Sequence, residues 1–381
     1  MAQPPPTLAG AIMRTRLPRQ ELVDALTAVA AIAGGRTTKQ ILTCVKLSAA
    51  KERMELTATD GEACLRLAVG TLSLERGGEV VVPAQRLLEI VRELPDAEIR
   101  VDSDDKYCTV MGEGSEFKIF TFPAADFPAV PTFADDADFV VEGATLSRMI
   151  GLTIYAAARE TGRYAINGVL WQKRGKKVFF VATDGRRLAR AGGGLVESSS
   201  GDFDAIVPTK ALHAFERVFA GTRDGNWTVD VKVMPNQILL RSGERMLGTA
   251  LVEGNFPKYE DVLPRDCDKV ARLSRLEFFG AIRRAALLTS DEARAVRMAF
   301  SEKGLTIRAN SPEQGEARVE VPVEFDGDPV EIGFNAVFLN DALKALPNDT
   351  VYLDLKESAR PGILRGEDKN DFLYVIMPVQ L

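Results

Sequence analysis

A single histidine, His213, in 381 residues removes most familiar chemistry at once. Two-histidine metal motifs such as HExxH are excluded, and a Ser or Cys triad would have only this imidazole for its base. His213 lies in "KALHAFERVF" beside Lys210 and Arg217 at helical spacing, opposite Leu212, Phe215 and Phe219. It therefore reads as a solvated helix residue. Cysteine is equally sparse: Cys44, Cys64, Cys108 and Cys267 lie far apart with no CxxC pair. That argues against a thiolate zinc site and fits a reducing cytoplasm. No apolar run approaches the roughly 18 residues that a membrane span needs. The start, "MAQPPPTLAGAIM", lacks a charged n-region, so residues 1–12 read as a disordered Pro-rich tail and not as a signal peptide. There is no GxxxxGK[ST] and no GxGxxG following a strand. "AGGGLVESSSG" (191–201) falls between strands as a flexible loop, and Asp104–Asp105 and Asp135–Asp136 sit in unrepeated, turn-like places. With 46% apolar and 27% charged residues the composition is that of an ordinary globular chain, expected to bind no metal or cofactor and to catalyse nothing.

What the chain does have is repetition. "TATDGEACLRL" (57–67) returns as "VATDGRRLAR" at about 125 residues' spacing, with Asn310 of "LTIRANSPEQGEARVEVPV" in the corresponding third place. "VVVPAQRLLEIVRELP", "AIVPTKALHAFERVFAG" and "EIGFNAVFLNDALKALP" repeat at the same interval. So do three amphipathic starts, "LPRQELVDALTAVAAIAGGR" (17–36), "EGATLSRMIGLTIYAAARETGR" (142–163) and "ARLSRLEFFGAIRRAALLTS" (271–290). The unit endings "FTFPAADFPAVP", "LVEGNFPKYEDVLP" and "YVIMPVQL" agree as well. The reading is α+β: three similar domains over 13–132, 139–264 and 268–381, each with two helices packed on antiparallel sheet. Asp60–Gly61 and Asp184–Gly185 read as hairpin turns with both central residues at φ > 0, and so as scaffold, not as active-site carboxylates.

Net charge is −6, yet the six helix candidates with their flanks carry 15 Lys and Arg against 8 Asp and Glu. Two readings fit: ordinary helix surface charge, or a ring or groove lined by helices that attracts phosphates without reading sequence.

Repeat, helix charge and ending together resemble one family, the bacterial DNA sliding clamp, the beta subunit of DNA polymerase III. The resemblance spans residues 13–381 and rests on "GGRTTKQIL" (34–42), "PAADFP" (123–128), "RYAINGVLW" (163–171), "VATDGRRLA" (181–189), "NFPKYEDVLP" (255–264), "EIGFN" (331–335) and "MPVQL" (377–381). It implies a head-to-tail homodimer closed into a ring, helices lining a hole wide enough for double-stranded DNA and sheets outside. Such a ring tethers the replicative polymerase without chemistry of its own. The implied partners are the DNA polymerase III catalytic subunit, the clamp loader and other replication and repair proteins carrying clamp-binding peptides, all in the cytoplasm and none of them a membrane.

The resemblance also places residues. DNA-facing positions match Arg36, Lys39, Arg163, Tyr164 and Lys210. A partner-peptide pocket matches Arg163, Ile166, Thr183, Gly185, Arg186, Arg187 and Leu188 on one wall, and Pro257, Asp261 and Val262 on another. Asn335, Phe338, Val375, Ile376, Met377, Pro378 and Val379 complete it. Phe117 and Ile119, with Leu287 and Leu288, match the dimer seam. The chain departs from the family in placing Asp261 where a basic residue is common, Phe338 where a tyrosine is usual, and Val379–Gln380 for Met-Arg before Leu381.

Overall fold

The computed structural model describes residues 13–33, 35, 37–133, 136–159, 165–219, 225–290, 294–368 and 371–380. The N-terminal tail lies outside the described residues. The chain packs as two compact units. One runs to Ala144 and includes Glu197–Ser199 and Lys210–Leu251; the other holds Thr145–Val196, Ser200–Thr209 and Val252–Leu381. This division passes through the middle repeat.

In the first unit a five-stranded antiparallel sheet runs in the order Ser73–Arg76, Met13–Pro18, Glu98–Ser103, Tyr107–Gly112, Ser115–Phe120. A nine-stranded sheet joins five strands of the middle repeat, ending in Arg245–Ala250, to four of the first, beginning with Ala63–Gly70. The second unit repeats the device. Its nine-stranded sheet joins four strands of the middle repeat, ending in Arg187–Gly194, to five of the last, beginning with Phe372–Ile376. A four-stranded sheet remains, ordered Gly315–Val321, Gly304–Ser311, Ala295–Ser301, Val330–Asn335. Every repeat thus contributes one five-stranded and one four-stranded half, and the threefold pattern read in the sequence is present in the strands.

Six α-helices occur among the described residues: α1 (Arg19–Ala33), α2 (Ala84–Glu93), α3 (Gly143–Thr153), α4 (Thr209–Val218), α5 (Arg275–Ala286) and α6 (Ala336–Ala345). Their apolar residues recur at i, i+3, i+4 and i+7, which puts one stripe inward. In α2 the buried set is Ala84, Leu87, Leu88 and Val91; in α4 it is Ala211, Leu212, Ala214, Phe215 and Val218. Each such Leu or Phe adds about 1.5–3 kcal/mol by leaving water. α6 starts at an Asn335 cap whose Oδ1 accepts the amides of Val337 (2.9 Å) and Phe338 (3.4 Å). α3 is shorter than the amphipathic stretch 142–163 suggested. Thr153 turns out of helical geometry at φ −124°, and its hydroxyl donates back to Met149 O at 2.7 Å.

Part of the helix charge excess is internal. Arg19 at the head of α1 donates to the carbonyls of Val91 and Arg92 at the end of α2. Arg275 at the head of α5 donates to Leu343 O and Asn348 O beyond α6. Arg245 caps α4 through Val218 O. These guanidinium groups satisfy last-turn carbonyls that would otherwise be unpaired, and they oppose the helix dipoles.

The Asp-Gly turns differ from the two-residue hairpin expected. Each is a three-residue connection in which only Gly61 (φ 96°) and Gly185 (φ 84°) take positive φ. Asp60 Oδ1 accepts the amides of Glu62 (2.9 Å) and Ala63 (2.8 Å), while Thr59 Oγ1 accepts Gly61 N–H at 3.1 Å. The remaining Asp60 oxygen meets Lys210 of α4 at 2.5 Å. In the last repeat the turn is Pro312–Gln314, so Asn310 is a strand residue paired opposite Glu316 and not the turn residue expected. The two-residue turn with both φ positive lies instead at Lys51 (49°) and Glu52 (60°).

A Cβ on Gly185 would meet nothing within 4 Å, so the cost of Gly185→Ala is backbone strain alone. Thermal melts should show a loss of about 1–2 kcal/mol, and an unchanged melt would contradict the left-handed turn. Burial would raise the Asp60 carboxyl, but the turn amides and Lys210 hold it below its ordinary value of 3.8. Its folded value is depressed, so its stabilisation is present above that ordinary value and is lost as pH falls through the lower one. Asp60→Asn should therefore lower stability at neutral pH and make acid melts below pH ~4 less steep.

Candidate functional site

The turn after Lys177–Thr183 builds one wall of an apolar cavity. Asp184 Oδ1 accepts the amides of Arg186 (2.9 Å) and Arg187 (3.1 Å), and Thr183 Oγ1 accepts Gly185 N–H at 3.1 Å while donating to Arg187 O at 2.6 Å. The network is the same as at Asp60, so the turn itself is scaffold. What differs is the use of the second carboxylate oxygen, which here takes Arg187 Nε at 2.9 Å. Met377 N–H donates to Arg186 O at 3.0 Å, tying the chain's closing segment to this wall.

The cavity measures about 210 Å³ and is lined by Ile166, Thr183, Gly185, Arg186, Arg187, Leu188, Pro257, Lys258, Tyr259, Val262, Val375 and Met377. Leu188 and Val375 belong to a buried cluster with Ala165, Leu170, Val181, Ile206 and Tyr259. Tyr259 is fixed by donating to Gln172 Oε1 at 2.6 Å. Arg187 is only 9% exposed and its donors are engaged: Nη1 on Asp341 at 2.7 Å, Nη2 on Tyr155 O at 2.7 Å and Nε on Asp184. Its guanidinium carbon stands 4.3 Å from the Phe338 ring centre. Burial opposes its charge, but the hydrogen-bonded Asp341 carboxylate, Tyr374 and Asp184 together outweigh that and raise its pKa further above the ordinary arginine range.

Two neighbouring cavities share the closing segment. Glu260, Asp261, Val262, Arg265, Asp266, Lys356, Arg360 and Met377 are among the residues around one of about 510 Å³. Ser358, Ala359, Pro378, Val379 and Gln380 border another of about 720 Å³, where Val379 N–H donates to Gly333 O at 2.9 Å.

Of the sequence-read pocket residues, the structure brings Ile166, Thr183, Gly185, Arg186, Arg187, Leu188, Pro257, Val262, Val375 and Met377 together around one cavity. Asp261 falls in the adjoining cavity, and Pro378 and Val379 in the third. Asn335 spends its side chain capping α6, and Phe338 lies under Arg187. Ile376 is fully buried in the core, because it alternates with Val375 along a strand. Lys258 and Tyr259 line the apolar cavity without having been singled out in the sequence; their place inside "NFPKYEDVLP" was the available signal. Arg36, Arg163 and Tyr164 lie outside the described residues. Lys39 is exposed just ahead of the short helical turn Gln40–Thr43, and Lys210 is engaged by Asp60. At the expected seam, Phe117 is partly exposed, Ile119 is buried at 7%, and Leu287 is 75% exposed at the end of α5 with Leu288 half-buried beside it. Phe120, 70% exposed and leaning on Tyr107 at 5.2 Å, was not picked out by pattern because it alternates with the inward residues.

Against known families, residues 13–131 match the DNA polymerase III beta subunit N-terminal domain, 140–258 its central domain and 260–380 its C-terminal domain. The beta sliding clamp of Pseudomonas aeruginosa is 34% identical over 373 residues, covering 97% of this chain and all of the relative. That of Escherichia coli is 33% identical over 370 residues with the same coverage. Among solved structures, the Pseudomonas aeruginosa DNA polymerase III subunit beta superposes with TM-score 0.90 at 33% identity, over 97% of this chain and 100% of that one. The Bacillus subtilis sliding clamp, 23% identical, shares the fold with TM-score 0.92 over 97% of this chain and 99% of its own.

Arg187→Ala deletes one cation from two carboxylates, one carbonyl and two rings. The expected loss is about 1–3 kcal/mol in chemical denaturation, and Arg187→Lys should recover only part of it, since an ammonium cannot span three acceptors. Full recovery by Lys would show that charge, not the planar fork, holds the wall.

Proposed function

The chain belongs to the DNA polymerase III beta subunit family, the beta sliding clamps, and on that premise we propose how it performs the clamp's part in replication. Two copies associate head to tail into a ring around double-stranded DNA, with domains spanning about 13–132, 139–264 and 268–381 in each. The observation that carries this is the strand count. Within the chain, two nine-stranded sheets each join a four-stranded half to the five-stranded half of the next repeat. The five-stranded half of the first repeat and the four-stranded half of the last are left, ending in Ser115–Phe120 and Gly315–Val321. Those strands correspond to the ones that pair at the internal joints. Pairing Ser115–Phe120 of one copy with Gly315–Val321 of the other would satisfy both edges and close a ring. Phe117 and Ile119, with Leu287 and Leu288, would flank that seam, and exposed Phe120 adjoins it.

Lys39 and Lys210, with Arg36, Arg163 and Tyr164, would face the DNA. Weak phosphate attraction suits a ring that must slide, because topology and not affinity keeps it on the duplex. The ring makes and breaks no bond. The apolar cavity around Leu188, Val262, Val375 and Met377 would receive aliphatic and aromatic side chains of a partner peptide, with Asp261, Asn335, Phe338, Ile376, Pro378 and Val379 framing or supporting it. Partners would include the DNA polymerase III catalytic subunit, the clamp loader and other replication and repair proteins of the cytoplasm. No described helix is long and apolar enough to cross a membrane.

Native mass should correspond to two 41.5 kDa chains, and a monomer at micromolar concentration would sink the ring. Labelled protein loaded on nicked circular DNA should stay bound and run off after linearisation; equal loss from both forms would leave simple binding or none. Met377→Ala with Pro378→Ala should abolish polymerase stimulation while the dimer persists, whereas dissociation of this variant would mean the pocket lies elsewhere.

A further inference from the structure

The two internal joints share one register. Leu47, Trp171 and Met298 each face the residue four places before α2, α4 and α6, and so hold equivalent positions. The ladders lead from them through Leu56, Phe180 and Ile307 to Leu67, Ala191 and Val319. Arg66, Arg190 and Arg318, one residue earlier, are therefore equivalent. Arg100, Asp230 and Tyr352 likewise face the residue three places before α1, α3 and α5. Their ladders lead through Met111, Arg241 and Arg365 to Glu116, Met246 and Leu373. Within the chain Arg66 pairs with Met246, and Arg190 with Leu373. The third set, Arg318 and Glu116, stands on the two edges left unpaired among the described residues.

Carried to those edges, the register sets Glu116 against Arg318, Phe117 against Ala317 and Lys118 against Glu316. Phe117 and Ala317 then correspond to the buried pairs Leu247–Leu65 and Tyr374–Ala189, so the apolar face closes inward. The four charged side chains share the outer face, because alternate residues point the same way. At the internal joints that face carries no opposed charges: Met246 meets Arg66, Gly248 meets Cys64, Leu373 meets Arg190 and Val375 meets Leu188. A slip of one residue would exchange the faces. A slip of two would keep them, but one way it sets Glu116 against Glu320 and Lys118 against Arg318, and the other way Glu116 against Glu316. Only one register opposes unlike charges at both places.

Resting on the ring reading above, we propose that Glu116 with Arg318 and Lys118 with Glu316 form a charge pattern that fixes the register of the seam and selects a second copy of this chain. Backbone hydrogen bonds and an apolar face both tolerate a slip of two residues. Chain connectivity limits such slips at the internal joints, whereas two separate copies have no such limit. Like charges set directly opposite each other destabilise the slipped pairings. In the single chain the same groups pair along their own strands, Lys118 with Glu116 at 3.0 Å and Arg318 with Glu320 at 2.8 Å. All four are exposed, so they exchange these partners for cross-seam ones at small cost. Affinity comes from the strand edges and the apolar face, and alignment comes from the charges.

The probes are two charge-exchanged forms of the full chain, with dimer dissociation constants measured by sedimentation. Glu116→Lys with Lys118→Glu should weaken the dimer at low salt on the order of a hundredfold, about tenfold at each of two seams. Glu316→Arg with Arg318→Glu should do the same. An equimolar mixture of the two forms should recover the affinity of the unaltered chain, because both seams of the mixed ring then oppose unlike charges. The losses should shrink in molar salt. Unaltered dimerisation of either form alone would overturn the inference and leave the ring standing. A mixture that fails to recover would overturn it too, by tracing the loss to something other than opposed charge. An unaltered chain that is monomeric would overturn the ring reading, and this inference with it.

Discussion

Hydrogen bonding between strand edges is the constraint on which the rest of this structure depends. A sheet edge leaves a row of amides and carbonyls unpaired, and each repeat presents one such edge on each of its two half-sheets where a neighbour can pair. At the internal joints, Ala63–Gly70 takes Arg245–Ala250, and Arg187–Gly194 takes Phe372–Ile376. Each joint turns two half-sheets into one nine-stranded sheet, so a repeat is never complete alone. That is why the compact units cut through the middle repeat: its two halves belong to different sheets. The same logic leaves Ser115–Phe120 and Gly315–Val321 as sheet edges unpaired among the described residues.

The apolar cavity is a by-product of one of these joints. Leu188 and Val375 are directly paired residues in neighbouring strands, and the Asp184 turn and the Met377 segment continue from the ends of the strands that pair there. Arg187 then braces the wall with every donor group engaged. Arg186, one position earlier, points its charge outward because the turn uses only its backbone. Adjacent arginines thus do opposite work, one structural and one available to a ligand.

Much of the fold was legible in the sequence. Six helices at matching positions, Asp-Gly turns and proline-punctuated endings fix three repeats, because helical period and turn chemistry are local properties. Where sequence pattern and structure differ, a competing hydrogen bond or turn prevailed over the repeat. α3 ends early at Thr153, whose hydroxyl returns to Met149 O, although apolar residues continue beyond it. Asn310 was aligned with a turn it does not occupy, because the last repeat replaces Asp-Gly with Pro312–Gln314 and shifts the hairpin. The helix charge excess pointed towards phosphate, yet Arg19 and Arg275 are spent on carbonyls at the ends of neighbouring helices.

The sequence by itself determined the number of repeats, the lack of catalytic groups with recognisable spacing, and most of the residues around one cavity. The first two follow from composition, period and motif, which need no knowledge of what lies far along the chain, and the cavity residues follow from the family resemblance. Only the tertiary structure decided which residues share a cavity with which. It set Asp261 apart from Arg186 across Val262, put Val375 on the cavity wall and its neighbour Ile376 in the core behind, engaged Lys210 with Asp60, and brought Lys258 to the cavity. The physical reason is that strand pairing and side-chain alternation fix direction, and direction settles whether a charge is consumed within the chain or left free for another molecule.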